Sequence, residues 1–138
     1  MAERTPMVKV DGYWQELPAG DTTAGASGGG GDYLVWAGFL TQTGTDAPTA
    51  VIAKNTLGGT VVWTYDGTGE FTGTLAGAFT ANKTSRHDGW CLGVGDGSVF
   101  EAYRNDSDTI RIRTWNAVAD TLTDGLLSST YIEIRVWT

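Results

Sequence analysis

Apolar and polar positions alternate with a period of two along most of this chain. Tyr33-Leu34-Val35-Trp36-Ala37-Gly38-Phe39-Leu40 departs from that rule by being apolar on both faces. Leu34, Trp36 and Leu40 fall on one face and Tyr33, Val35 and Phe39 on the other, which predicts a central strand covered on both sides. Residues 49–53 read as a further strand. Residues 60–65 alternate Val61, Trp63 and Tyr65 against Thr60, Val62 and Thr64. The turn signal Asp66-Gly67-Thr68-Gly69 follows, and residues 70–76 return with Phe71, Gly73 and Leu75 on one face. A second hairpin is predicted from residues 89–94 and 98–103 around Gly95-Asp96-Gly97. Residues 109–115 set Ile110, Ile112 and Thr114 against Arg111, Arg113 and Trp115. Residues 131–137 set Ile132, Ile134 and Val136 against Tyr131, Glu133, Arg135 and Trp137. If these last two strands pair antiparallel, Glu133 lies near Arg111 or Arg113. No segment sustains a helical period, so the expected fold is an all-β antiparallel sandwich or barrel-like domain.

The first 31 residues follow a different logic. Val8, Val10, Tyr13, Trp14 and Leu17 mark one short hairpin or extended arm, which runs into Gly25-Ala26-Ser27-Gly28-Gly29-Gly30-Gly31. A lone two-stranded hairpin is marginal in water, whereas a Tyr-Trp pair buries about 150–250 Å² per ring once it finds a surface. The expected organisation is a docking arm over residues 1–24, a Gly-rich linker over 25–32 and a β-domain over 33–138. Val10, Tyr13, Trp14 and Leu17 are the expected docking residues. A glycine run is a poor way to fix an arm to its own domain and a good way to let it reach another.

Composition narrows the function classes. The formal net charge is -7 and Lys plus Arg total nine without forming a run, which argues against a nucleic-acid surface. No apolar stretch approaches the length of a membrane-spanning helix, so no membrane insertion is expected. The N-terminus lacks a charged-then-apolar signal pattern, so Met1 reads as a start made in the cytoplasm with no signal peptide. Cys91 is the single cysteine, which rules out an intrachain disulfide. Twenty glycines and six tryptophans with 18% charged residues fit dense β-structure with tight turns.

Candidate chemistry is sparse. His87 and Cys91, four apart around Gly89 and Trp90, read as a loop histidine and a buried structural cysteine rather than a metal or nucleophile pair. Gly93-Val94-Gly95-Asp96-Gly97-Ser98 lacks the spacing and following helix of a dinucleotide fingerprint and reads as a turn. Asn105-Asp106-Ser107-Asp108 offers oxygen ligands suited to Ca²⁺ but lacks the glycine and closing glutamate of a calcium loop, so it reads as a solvated turn. Asp66 and Glu70 have the residue types of a glycosidase pair yet flank a turn, where acids are ordinary. No catalytic residue, cofactor or metal ligand is assigned. Among the tryptophans, Trp36 and Trp63 read as core. Trp115 and Trp137 share their strand faces with Arg111, Arg113, Glu133 and Arg135. Aromatics with arginine are enriched at interfaces, so these six residues form the expected oligomer or ligand face, with a subunit contact preferred to a glycan site.

Longer blocks carry a resemblance. Leu40-Thr41-Gln42-Thr43-Gly44-Thr45-Asp46-Ala47-Pro48 is followed by Asn55-Thr56-Leu57-Gly58-Gly59-Thr60-Val61-Val62-Trp63, then by Gly73-Thr74-Leu75-Ala76-Gly77-Ala78-Phe79-Thr80-Ala81-Asn82-Lys83-Thr84 and Tyr131-Ile132-Glu133-Ile134-Arg135-Val136. Over residues 33–138 this resembles a small β-domain of bacteriophage and prophage virion appendage proteins. Gly12-Tyr13-Trp14-Gln15-Glu16-Leu17-Pro18-Ala19-Gly20-Asp21-Thr22 resembles the attachment segment that opens many tail-fibre and head-fibre proteins. The resemblance implies a virion structural protein, often a homotrimer, partnered by sister subunits and by other tail or capsid proteins. It implies no catalytic residues. The leading expectation is a short tail-fibre or fibre-tip module that attaches to the host surface, with a host surface glycan as a further partner. A capsid decoration or head-fibre protein is the alternative, and a cell-wall or capsule hydrolase is a distant third.

Overall fold

The computed structural model describes residues 7–10, 13–16, 32–91 and 97–138. The chain divides into two compact units, Met1–Gly31 and Asp32–Thr138. In the first, β1 (Met7–Val10) and β2 (Tyr13–Glu16) pair antiparallel with Val10 opposite Tyr13 and Lys9 opposite Trp14. The expected hairpin is therefore present. Leu17 and the glycine run of the expected linker lie outside the described residues.

The second unit is built from β3 (Tyr33–Thr41), β4 (Thr49–Asn55), β5 (Val62–Gly67), β6 (Glu70–Thr74), β7 (His87–Trp90), β8 (Ser98–Arg104), β9 (Thr109–Asn116), β10 (Thr121–Leu122) and β11 (Thr130–Trp137). No helix occurs among the described residues. The strands form two antiparallel sheets. One has the order β5-β6-β9-β8-β7 with β10 added on β9, and the other has the order β11-β3-β4. The all-β expectation holds.

Local chemistry fixes the hairpins. Gly67 pairs with Glu70, leaving Thr68-Gly69 as a two-residue connection. Gly69 adopts φ +64°, and a Cβ there would come within 2.4 Å of the Thr114 carbonyl oxygen. Only glycine meets both conditions. The Asp124 carboxylate accepts from the Gly69 N–H at 2.6 Å and from the Tyr65 hydroxyl at 3.1 Å, anchoring the turn to a distant loop.

The inward faces of both sheets feed one core containing Trp36, Leu40, Phe71, Phe79, Ile110, Ile112, Ile132 and Ile134, all fully buried. Each such side chain contributes about 1.5–3 kcal/mol by leaving water. Trp36 and Trp63 meet edge to face at 5.3 Å, so both behave as core residues as expected. Gly38 packs against the Trp36 ring and Gly73 against the Trp63 ring. Along one side the sandwich approaches closure. The Ser85 N–H donates to the Arg135 carbonyl at 2.7 Å, the Trp137 N–H donates to the Lys83 carbonyl at 2.8 Å, and Thr84 bridges Val136.

Three expectations require correction. Residues 109–116 and 130–137 do not pair: β9 lies between β6 and β8, while β11 lies beside β3 in the other sheet. Glu133 consequently sits opposite Ala37, not near Arg111 or Arg113. The alternation of the two strands was compatible with pairing, but both strands bury their even-numbered isoleucines from opposite sides of one core. Second, β3 is central in its sheet, yet only Val35 and Ala37 are covered on its outer face; Phe39 is 41% exposed and Tyr33 39%. Third, His87 opens a strand rather than occupying a loop.

Candidate functional site

The outer faces of the two sheets differ in chemistry, and that difference selects the candidate surface. Across the larger sheet, strand register places acids and arginines alternately. Asp66 approaches Arg111 at 3.7 Å, Arg111 reaches Glu70 at 3.6 Å, and Arg113 bonds Glu70 at 2.9 Å. Arg113 then lies 3.8 Å from Glu101, which Arg86 engages at 2.6 Å while also bonding Asp88 at 2.8 Å. Asp66 also accepts from the Thr64 and Thr72 hydroxyls. The carboxylates that resembled a glycosidase pair are thus engaged by arginines and hydroxyls. Trp115 flanks this ladder, lining a depression of about 420 Å³ with Glu101, Arg113 and Leu122. Trp90, 66% exposed, stands near the same edge.

The smaller sheet presents a different surface. Trp137 lies opposite Tyr33 and Tyr131 opposite Phe39, giving two aromatic pairs with ring centroids 5.1 and 5.4 Å apart. Between them run Glu133 and Arg135. The Arg135 guanidinium lies 4.9 Å over the Tyr33 ring and bonds Glu133 at 2.5 Å, and the Tyr131 hydroxyl donates to Glu133 at 2.7 Å. The Tyr131 hydroxyl first, and Arg135 next, hold the Glu133 carboxyl below its ordinary range. Donating to Glu133 pushes the Tyr131 hydroxyl up.

A groove of about 370 Å³ opens beside these residues, lined by Ser85, Arg86, His87, Tyr131, Glu133, Arg135 and Trp137. His87 fixes one wall: its Nδ1 accepts from the Glu133 N–H at 2.8 Å. That bond requires a lone pair on Nδ1, and burial depresses the imidazole's pKa, favouring the same neutral form. The groove combines two aromatic faces with guanidinium, carboxylate and imidazole groups. Such a mixture suits stacking and hydrogen bonding to a polar ligand with an apolar face.

Of the six residues expected to share a face, Glu133, Arg135 and Trp137 come together on the smaller sheet. Arg111, Arg113 and Trp115 come together on the larger one. The expected single face is two. Tyr33, Phe39, Tyr131 and the segment carrying Ser85, Arg86 and His87 complete the smaller-sheet surface and were not assigned from sequence. The odd-numbered aromatics of residues 33–39 carried a signal, masked by reading that strand as covered on both sides.

The remaining candidates serve local structure. Cys91 is buried, and burial pushes its thiol up to about 11, which makes it a poor nucleophile at neutral pH. In the turn between β8 and β9, Asp106 accepts from the Asp108 N–H at 2.8 Å, the leading cause of its lowered pKa. Asp108 in turn accepts from the Gly77 N–H at 2.8 Å. Among the described residues no group of three or more His, Cys, Asp or Glu is arranged to hold a metal ion, and no helix is long and apolar enough to cross a membrane. Of Gly93-Val94-Gly95-Asp96-Gly97-Ser98, the first four residues lie outside the described residues; Gly97 has φ +80°, as a turn requires. Comparison with models of protein families, with curated proteins and with solved structures finds no match to this chain.

Proposed function

We propose that this chain is a structural protein of a bacteriophage or prophage virion, a short tail-fibre or fibre-tip module. The N-terminal segment mounts it on the particle through Val10, Tyr13, Trp14 and Leu17, and the β-domain meets the host surface. The observation that carries this reading is the outer surface of the smaller sheet. Tyr33, Phe39, Tyr131 and Trp137 stay exposed beside a groove whose polar groups converge. A hydrophobic core has no use for four exposed rings on one face, and two aromatic pairs flanking the Glu133–Arg135 strip suit a ligand with both apolar and polar faces. The division of the chain into a small N-terminal unit and a sandwich supports a separate mounting element. A surface saccharide is the ligand class that suits the groove, since pyranose C–H faces stack on aromatic rings while hydroxyls meet Glu133, Arg135 and His87.

The alternative places the same chain on the capsid as a decoration or head-fibre protein. It is favoured by the short spacer, since only residues 25–32 separate arm from domain and no shaft intervenes. Particles carrying the full chain with Trp137→Ala and Tyr131→Ala separate the two. Adsorption to host cells should fall at least tenfold with normal incorporation into particles. Unchanged adsorption with intact incorporation rejects the fibre reading and promotes decoration.

A further inference from the structure

We infer that β4 pairs edge to edge with the β4 of a second copy of this chain, antiparallel about a two-fold axis at Ala50, joining two three-stranded sheets into one of six strands. This inference does not depend on the virion reading.

Among the described residues β4 pairs with β3 alone and ends its sheet. Its run Thr49-Ala50-Val51-Ile52-Ala53 is uncharged and free of proline, with Val51 72% and Ile52 47% exposed. A long, exposed, apolar edge is a template for another strand, and proteins ordinarily blunt such edges with charge or cover them. The opposite edge of the same sheet is covered: residues 83–85 lie along β11 with backbone hydrogen bonds of 2.7 and 2.8 Å. The edge strand β5 of the larger sheet carries Asp66, held by Arg111 and two threonines. At β4 the protection is confined to the two ends, the near one marked by Pro48 just ahead of the strand. Ala37 pairs with Lys54 and Gly38 with Ile52, so Ala53 is the extra residue of a bulge, and Lys54 follows it. Residues 49–52 stay regular and open.

Charge and facing set the partner and the register. A parallel pairing would set Lys54 against Lys54. Antiparallel pairing about Ala50 brings the end of β4 that carries the exposed Lys54 of each copy beside the turn that carries the exposed Asp46 of the other. Directly opposite residues of an antiparallel pair share a face, so Thr49 meets Val51 across the axis on the outer side. The row Tyr131–Phe39–Val51, aligned by register within one copy, then runs on to Thr49 and Thr41 of the second copy, and the two Val51 side chains lie diagonal to each other across the axis.

The full chain tests this by sedimentation equilibrium together with directed cross-linking. A two-fold dimer is expected, with Val51→Lys weakening it at least tenfold while circular dichroism, and thermal melting at a dilution where both chains are monomeric, stay those of the unmodified chain. Lys54→Asp should weaken the dimer, and Lys54→Asp with Asp46→Lys should restore it. Because Cys91 is buried, an introduced thiol is the reactive one. Oxidising a mixture of Thr49→Cys and Val51→Cys chains should give the mixed disulfide in preference to either homodimer. A monomer at high micromolar concentration, a three-copy species, or a dimer indifferent to Val51→Lys overturns the inference. So does concentration-independent hydrogen-exchange protection of those amides of residues 50–52 that do not bond β3, since another part of the same chain would then cover the strand.

Discussion

Gly73 shows how a single missing side chain holds the core together. It lies on β6 opposite Trp63, and a Cβ there would stand 2.8–2.9 Å from the Trp63 ring and the Val61 side chain. Gly73→Ala should therefore lose about 1–3 kcal/mol through overpacking, read as a lowered melting temperature with unchanged far-ultraviolet circular dichroism. Trp63→Ala leaves the opposite fault, a cavity, and should lose about 3–5 kcal/mol in urea unfolding. Gln42 illustrates a buried polar anchor. Its Oε1 accepts from the Gly125 N–H at 2.6 Å, while its Nε2 donates to the carbonyls of Gly44 and Asp46. One side chain thus fixes two loops. Gln42→Leu keeps much of the volume but strands those backbone groups, and a loss of about 1–3 kcal/mol in the same assay is expected.

At the scale of elements, the apolar–polar pattern marked eight strands of the sandwich, β7 only through Gly89 and Trp90, but could not assign them to sheets. The run 33–40 announced a strand with two apolar faces, and β3 is central in its sheet. Yet Phe39 and Tyr33 are exposed because nothing among the described residues covers that face. The isoleucines at 110 and 112 and at 132 and 134 looked like partners on adjacent strands; they meet across the core instead. Period-two patterning states which face is buried, not what buries it. The short β10 carried no alternation to read, and residues 83–87 acquire their role from hydrogen bonds to β11 that no local pattern encodes. The ion-pair ladder depended on knowing which strands adjoin. Because that ladder is solvent-facing, Glu70→Gln should change stability by less than about 1 kcal/mol. Under the attachment reading it should also leave adsorption intact, and an adsorption defect from this one change would point to chemistry at the larger sheet.

For the molecule as a whole, the seam between the sheets carries a pH dependence. His87 on β7 accepts from the Glu133 N–H on β11 through Nδ1. Burial lowers the imidazole's pKa below its ordinary 6.5, opposed by the nearby Glu133 and Asp88 carboxylates. The folded state therefore binds a proton less readily than the unfolded chain, and stability rises wherever the unfolded state holds more protons. The contribution is complete above 6.5 and is lost as pH falls from there through the lower folded value. Glu133, whose carboxyl is held down by Tyr131 and Arg135, adds a loss of the same sign only below its ordinary 4.5. Melting temperature should consequently fall as the pH is lowered from about 7 to about 5, the range in which histidine titrates, before the carboxylate contributes strongly. His87→Gln replaces the titrating acceptor with a fixed carbonyl oxygen and should flatten that interval while retaining the carboxylate slope at lower pH. The same imidazole walls the groove beside Arg135 and Trp137, so protonation would remove its bond to β11 where the aromatic surface is framed. If that surface attaches the particle to its host, adsorption should weaken over the same pH interval, and His87→Gln particles should lose the dependence. Retention of the full pH slope of melting in His87→Gln would remove this residue from both effects.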